Sequence, residues 1–422
     1  MAYALRTLVS IKKQVFVNFI LLVSAIIYAI FIAEILCRVL YVKEPTVEER
    51  GGEYDRLLGW RQKPNSSKFN KTEEYSVKAS FNSKGIRGPE YSYEKDKDEF
   101  RILILGDSFA EGYGVKFHDL FSEVLKSDLN DRLKHAAVKC EVINSGVSGY
   151  STDQELLYFQ TEGKKYNPDL TLLMFYSNDI VYNNRSHYEH GYSKPLFELV
   201  GKELILKKIP GQKPLETMSK KSVNTKSAYI LETIKDWLGR HSRLYNLVSA
   251  RISVGWKHEV LIWLRSAERP QKQKSQSNSR GEDAGQAAYK DAITESWRIT
   301  GAIINKLKEE TSAINSKLLV FYVPRRVDIY SYDRYAIRKK EAIFTKDWYK
   351  RTANVVLGGI CKENSIDFID PTEKFRAEAR KLMAKGIELY YLRDHHWNAK
   401  GNRLAGLVLS DFIYHNYLNG EN

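Results

Sequence analysis

The sequence predicts an α/β protein, a three-layer α/β/α sandwich around a central parallel sheet, with an N-terminal transmembrane helix and a helical insertion. Three observations carry that prediction. Short apolar runs of strand length alternate with amphipathic helical segments, which is the pattern of βαβ units. A single long apolar stretch lies near the N-terminus. The α/β rhythm then breaks between residues 183 and 286, where basic residues gather. At 422 residues the chain has room for two to three domains of about 150 residues each. Its 43% hydrophobic and 28% charged composition, with a mean hydropathy of −0.44, excludes global disorder, collagen-like repeats and a many-span membrane protein. No internal repeat of 20 to 50 residues is evident. The net charge of +14 and a pI near 9.3 suit acidic partners such as phosphates, anionic lipid or acidic polysaccharide. Cys37, Cys140 and Cys361 are too few and too scattered for a disulfide framework or a thiolate metal site.

Taken in order, residues 1–40 read as a cytoplasmic tail and a signal anchor. From Val15 to Ala33 the chain is almost wholly apolar, and about 19 residues at ~1.5 Å each nearly cross a ~30 Å hydrocarbon core. Arg6, Lys12 and Lys13 precede the run. No small-x-small cleavage site follows it, and Glu34 and Leu36 before Cys37 argue against a lipid attachment site. Arg38, Lys43 and Arg50 offset part of the positive-inside bias, which still favours the bulk of the chain outside the cytoplasm. Residues 41–98 are polar and turn-rich, with Gly51-Gly52, Pro64-Asn65 and Gly85 through Pro89, and read as a stalk and lead-in with short irregular strands.

Residues 99–182 hold the first part of the α/β domain. Arg101–Leu105 is a buried-strand run, and Leu120, Val124, Leu125, Leu129 and Leu133 recur at helical spacing. Cys140–Asn144 and Leu170–Phe175 are further strands, with a helix from about Thr152 to Gly163 between them. Residues 183–286 form the basic insertion, with Trp237, Trp256 and Trp263, ending in a low-complexity tract from Arg269 to Arg280 that has the composition of a loop or disordered linker. Residues 287–422 complete the domain: a helix near 287–310, a strand at 317–323, a helix near 348–362, a strand at 366–369 and a closing helix from Ala399 to about Tyr414.

In an open parallel sheet, ligands bind beyond the carboxyl ends of the strands. The first strand ends in Gly106-Asp107-Ser108, which places a hydroxyl at a strand-to-helix turn where backbone N–H groups point outward. The second runs into Asn144-Ser145-Gly146-Val147-Ser148-Gly149, whose glycines permit close backbone approach. The third ends in Tyr176-Ser177-Asn178-Asp179, which offers a carboxamide. Near the C-terminus, Asp394 and His396 stand directly before the last helix, with His395 as an adjacent competitor for the base. Each word alone has a plain reading: Ser108 as a helix N-cap, Gly146 and Gly149 as turn residues, Asn178-Asp179 as an Asx turn, Asp394 and His396 as a surface pair. Together they supply Ser, His and Asp for acyl transfer.

These four segments, in this order, resemble the SGNH superfamily of GDSL-like hydrolases over roughly residues 98–180 and 287–415, and Phe81 through Gly88 resembles the lead-in of its membrane-anchored members. The resemblance implies an SGNH, flavodoxin-like fold without a cofactor. It implies Ser108 as nucleophile, His396 as general base and Asp394 as its orienting acid, with Ser108, Gly149 and Asn178 as the oxyanion hole. The implied reaction is hydrolysis of an acyl ester, acetyl foremost, on a carbohydrate or lipid. Two departures stand out. Tyr176 occupies the position of a glycine in the usual third block, and Asp394-x-His396 replaces the usual Asp-x-x-His. The shorter spacing is similar to the alginate-type O-acetyltransferase branch, so transfer of acetyl to or from a polysaccharide is the first alternative. The second is a non-catalytic glycan-binding or assembly protein on a degenerate hydrolase fold. Asp370, at the end of the last strand, is the fallback acid.

Other features carry less. His187-Tyr188-Glu189-His190 has metal-ligand residue types but no third ligand, so no metal is expected. The basic insertion suits anionic lipid or an acidic glycan, or is a solvated helical pair. Zinc-finger spacing and RNP-like strands are absent, which sets nucleic acid aside. Glu111-Gly112-Tyr113-Gly114 lacks the spacing of a dinucleotide or phosphate loop.

Overall fold

The computed structural model describes residues 2–40, 52–188, 192–210, 238, 242, 244–245, 278–330 and 353–419, with only the backbone described for 2–13, 15, 40 and 278–292. The chain divides into two compact units. One comprises residues 1–45, 189–191 and 218–285, the other residues 46–188, 192–217 and 286–422.

In the first unit a helix runs from Ala2 to Leu40, and its segment Phe16–Val39, 24 residues of mean hydropathy 2.7, is long and apolar enough to cross a membrane. The stretch expected at 15–33 lies within this helix. It continues past Ala33 because Glu34 and Arg38, one turn apart, form an ion pair at 2.8 Å. Ser242 Oγ and the Leu244 N–H donate to the same Glu34 carboxylate at 2.8 and 2.9 Å. Trp237, Trp256 and Trp263 lie outside the described residues.

The second unit begins with two antiparallel hairpins, β1 (Gly52–Asp55) with β2 (Gly59–Gln62) and β3 (Ser66–Lys71) with β4 (Ser76–Phe81). The expected stalk of irregular strands is thus regular over these residues. In β4, Val77, Ala79 and Phe81 are buried while Ser76, Lys78 and Ser80 face water, the alternation of a half-buried strand. Then come β5 (Glu99–Gly106), β6 (Lys139–Asn144) and β7 (Leu170–Phe175). The insertion opens with a further hairpin, β8 (Leu196–Val200) and β9 (Glu203–Lys208), where a helical insertion is predicted. The last strands are β10 (Lys317–Tyr322) and β11 (Asp367–Ile369).

Strands β5, β6, β7, β10 and β11 form one parallel sheet in the order β11-β10-β7-β5-β6. The chain moves from β5 outward to β6, then crosses to β7 on the other side of β5. That reversal opens a crevice at the carboxyl end of β5. Side chains of β5 alternate between two cores. Ile102 and Ile104 pack with helices Phe121–Arg132, Thr372–Met383 and Ala399–Ile413 through Phe121, Leu125, Phe375 and Leu409. Leu103 and Leu105 pack on the opposite face with helices Thr152–Thr161, Asn278–Ser312 and Ala353–Glu363 through Leu156, Ile303 and Leu357. The three expected layers are present.

Some boundaries move. Helix Asn278–Ser312 begins nine residues before the expected start and includes Asn278 to Arg280, assigned above to the linker tract; residues 269–277 lie outside the description. Of the helix expected at 348–362, the described part is Ala353–Glu363. Helix Thr372–Met383, to which the sequence analysis assigns no element, buries Phe375 and Ala379.

Candidate active site

The turn after β5 is tight: a Cβ on Gly106 would lie 2.6 Å from Ala110 Cβ and 2.9 Å from Met174 Cβ. Asp107, fully buried, accepts the Phe109 N–H at 2.9 Å, and Ser108 begins the short helix Ser108–Glu111. Ser108 Oγ lies 2.7 Å from His396 Nε2, and His396 Nδ1 is hydrogen-bonded to Asp394 Oδ1. The structure therefore joins hydroxyl, imidazole and carboxylate in one chain. His395 has φ +69° and an exposed side chain. This left-handed residue turns the backbone so that His396, and not His395, reaches Ser108.

The residues after His396 hold it in place. Trp397 is buried against Phe109, with ring centroids 5.1 Å apart, and against Phe375 at 5.4 Å. The Asn398 side chain accepts the N–H groups of Lys400 and Gly401 at 2.9 and 3.2 Å, capping the helix Ala399–Ile413. Asp370 is engaged elsewhere. Its carboxylate accepts the Thr372 N–H and hydroxyl and the Asn354 amide, at the start of the helix Thr372–Met383.

The carboxylate of Asp394 has further partners. Burial alone would raise its pKa, but hydrogen bonds from His396 and from the Tyr75 hydroxyl, 2.6 Å from Oδ2, bring it below the ordinary carboxylate range. Burial, and then the bond to Asp394, pushes the Tyr75 phenol well above its ordinary value. Glu74, beside it, accepts the backbone N–H groups of Leu392, Arg393 and Asp394 at 2.7, 3.0 and 3.1 Å. Beneath Ser108, burial pushes the Asp107 carboxyl up to about 6 despite the Phe109 N–H, the His396 charge and the Asn178 amide.

Gly149 sits at φ +82°, and a Cβ there would meet the Tyr188 ring at 3.1 Å and the Trp60 ring at 3.4 Å. The preceding residue is fixed by Glu111, whose buried Oε2 accepts the Ser148 N–H at 2.8 Å, the Ser148 hydroxyl at 2.6 Å and the Gln62 amide at 2.7 Å. Lys68 neutralises the same carboxylate at 3.0 Å. Burial would raise the pKa of Glu111; Lys68 and Ser148 hold it below its usual value. Asn178, after β7, donates to Asp107 Oδ2 at 3.4 Å, and its Oδ1 is buried without a hydrogen-bond partner. A carboxamide carries two N–H donors, which leaves one for a bound oxygen. Tyr176, which stands where the usual third block has a glycine, sits in a hydrogen-bonded turn. Its N–H donates to Asp179 Oδ2 at 3.2 Å, its carbonyl accepts the Asp179 N–H at 3.0 Å, and its ring lies 4.7 Å from that of Phe109. Gly146 serves packing, since a Cβ there would come within 2.5 Å of the Glu111 nitrogen.

Tyr75, Glu74 and Glu111 escaped the reading of the sequence, as did a buried ion pair. Lys194, at the start of the insertion, pairs with Asp153 and donates to the Tyr182 carbonyl at 2.9 Å. Of the histidine pair in the loop, His187 Nδ1 contacts Ser186 Oγ at 2.9 Å, while His190 lies outside the description. Among the described residues no group of three His, Cys, Asp or Glu could hold a metal ion.

A hydroxyl, an imidazole and a carboxylate hydrogen-bonded in this order are the groups that a serine hydrolase uses on an ester. Residues 102–251 match the family model of GDSL-like lipases and acylhydrolases, so the chain carries an ester-bond hydrolase domain of the GDSL-like, SGNH type. The match includes Ser108, Gly149 and Asn178 and ends before Asp394 and His396. Comparison with curated proteins returns no match. Among solved structures, the chain is similar to an acetyl xylan esterase at 12% identity and a TM-score of 0.37, covering 75% of this chain and 100% of that one. It is also similar to a catalytic mutant of an acetylxylan esterase from Geobacillus stearothermophilus (11%, TM-score 0.35, 74% and 92% covered). A two-domain esterase active on acetylated mannans is a third (11%, TM-score 0.34, 75% and 49% covered).

Proposed function

We propose that this protein is a membrane-anchored serine esterase that hydrolyses an acyl ester, acetyl foremost, on a carbohydrate or lipid outside the cytoplasm. The observation that carries the reading is the 2.7 Å contact of Ser108 Oγ with His396 Nε2, with Asp394 on the other ring nitrogen. His396 takes the proton of Ser108 as the oxygen attacks the carbonyl, and Asp394 fixes the tautomer and stabilises the imidazolium. The tetrahedral oxyanion is met by the N–H groups of Ser108 and Gly149 and by the Asn178 amide, each worth roughly 2.7–4 kcal/mol if it behaves like other oxyanion donors. The alcohol leaves with the proton from His396, and water, activated by the same imidazole, releases the acid. The rings of Phe109 and Tyr113 lie 4.8 and 5.5 Å from that of His396 and pack against the general base. The apolar helix Phe16–Val39 supports the anchor, with the basic residues before it inside.

Hydrolysis of p-nitrophenyl acetate by the full chain in detergent, with fluorophosphonate labelling as second readout, tests the reading. Ser108→Ala and His396→Ala are expected to lower turnover by about 10⁴-fold or more, and Ser108→Ala to abolish labelling. A folded wild-type protein with neither turnover nor labelling sinks the reading and leaves a binding role. The single residue between Asp394 and His396 favours a second reading, transfer of acetyl to or from a polysaccharide. An acceptor glycan that speeds ester turnover and becomes acetylated would establish it. Anionic lipid or acidic glycan at the basic insertion is the remaining partner, and equal sedimentation with neutral and anionic liposomes would dismiss the lipid.

A further inference from the structure

We infer that Tyr75 is a positioning residue for the reaction, a fourth member of the hydrogen-bonded chain that reaches the reacting serine through Asp394 and His396; this rests on the serine-esterase reading above. The connection Tyr75–Asp394–His396–Ser108 is continuous, with the phenol 2.6 Å from Asp394 Oδ2, the oxygen that His396 does not use. A carboxylate bonded through one oxygen rotates about its Cβ–Cγ axis; one bonded through both is fixed, and with it the plane of the imidazole it orients. The donor is itself rigid. Tyr75 is 8% exposed, its ring lies 4.7 Å from Tyr391 and 6.2 Å from Tyr113, and it sits in the turn that joins β3 and β4.

The neighbouring residue grips the same loop by its backbone, since Glu74 accepts three consecutive N–H groups at Leu392, Arg393 and Asp394. Arg393 also pairs with Glu73. One turn of the hairpin therefore holds both the main chain and the side chain of the acid-bearing segment. The Tyr75 hydroxyl is bonded to Asp394 Oδ2, two links away from Ser108 in the hydrogen-bonded chain, so its effect falls on the rate of the chemical step rather than on binding.

The test is kinetic, on the full chain with p-nitrophenyl acetate. Tyr75→Phe keeps the ring and removes only the hydroxyl. It is expected to lower kcat by about 10- to 100-fold, the scale of a hydrogen bond to a charged group. KM is expected to stay within about twofold and the melting temperature to stay within a few degrees. In an Asp394→Ala background the same change is expected to cost less than about twofold, because the residue through which Tyr75 acts is gone. An unchanged kcat in Tyr75→Phe, or an equal loss in both backgrounds, overturns the role of Tyr75. Ser108→Ala measured alongside separates the two ideas: if that variant hydrolyses the ester at the wild-type rate, the serine-esterase reading itself fails.

Discussion

The parallel sheet and the two hairpins before it contribute differently to the site. Ends of the sheet carry the groups proposed to face a substrate: Ser108 after β5, Gly149 after β6 and Asn178 after β7. The hairpins present none. Gln62 and Lys68 hold Glu111, which holds Ser148 beside Gly149, while Glu74 and Tyr75 hold the segment that bears Asp394. Chemistry and its scaffold are thus drawn from separate stretches of chain. A frame of reactive groups on loops needs support from outside the sheet, because the strand ends alone leave those loops tethered at one side.

Four substitutions break or sharpen that contrast. The largest effect is expected at the reacting chain itself: Asp394→Asn leaves the shape intact but gives the imidazole the wrong tautomer, and kcat should fall about 10⁴-fold with little change in melting temperature. If the loss were below tenfold, the distinction between reacting and supporting groups would collapse.

Glu111→Gln should act the other way round, on stability first. It leaves the nearly enclosed Lys68 without its counter-charge, at a cost of about 3 kcal/mol in denaturant unfolding, and lowers kcat by about tenfold as the Ser148 segment loosens. A variant as stable as the wild type would show that the hairpins do not depend on this contact.

Asp107→Asn gives a pH signature. The carboxyl is pushed up to about 6 in the folded protein, so the folded state holds a proton that the unfolded state has lost. Stability therefore falls as pH rises from about 4 to about 6, by on the order of 2–3 kcal/mol. Urea midpoints at several pH values should show the variant gaining on the wild type across that window and running parallel above it. A constant gap from pH 4 to 7 would refute the assignment.

Gly149→Ala should cost about 1–2 kcal/mol of stability, from the left-handed backbone. The contact with Tyr188 should turn the N–H away from the oxyanion and lower kcat while KM holds. A kcat equal to that of the wild type would remove Gly149 from the oxyanion hole.

Much of the sheet side was legible because its signals are local. Ile102–Leu105 is apolar without interruption, which marks β5, and Gly-Asp-Ser follows at once. The Trp-Asn after His396 also has a local meaning, one residue packing into the core and the next capping a helix. On the hairpin side, the alternation of Val77, Ala79 and Phe81 was a usable sign of β4, hidden among polar neighbours that read as stalk. Tyr75 was beyond reach: its partner lies 319 residues away, and nothing in the spacing of either residue refers to the other. The same holds for Glu111 and Lys68, since burial of a charge is decided by what folds over it. Tyr176 stands where the usual third block has a glycine, but the turn there is made by Asp179 and the backbone, which accept a tyrosine.

The bond between Ser108 and His396 spans 288 residues. During synthesis the hydroxyl, its strand and both hairpins leave the ribosome long before the imidazole exists. A growing chain whose apolar helix has already entered a membrane would carry a hydroxyl with no base, harmless to the esters around it. On the proposed mechanism, hydrolysis begins only when the final helix docks and brings His396 to the serine, so the order of translation itself delays the activity until the fold is closed.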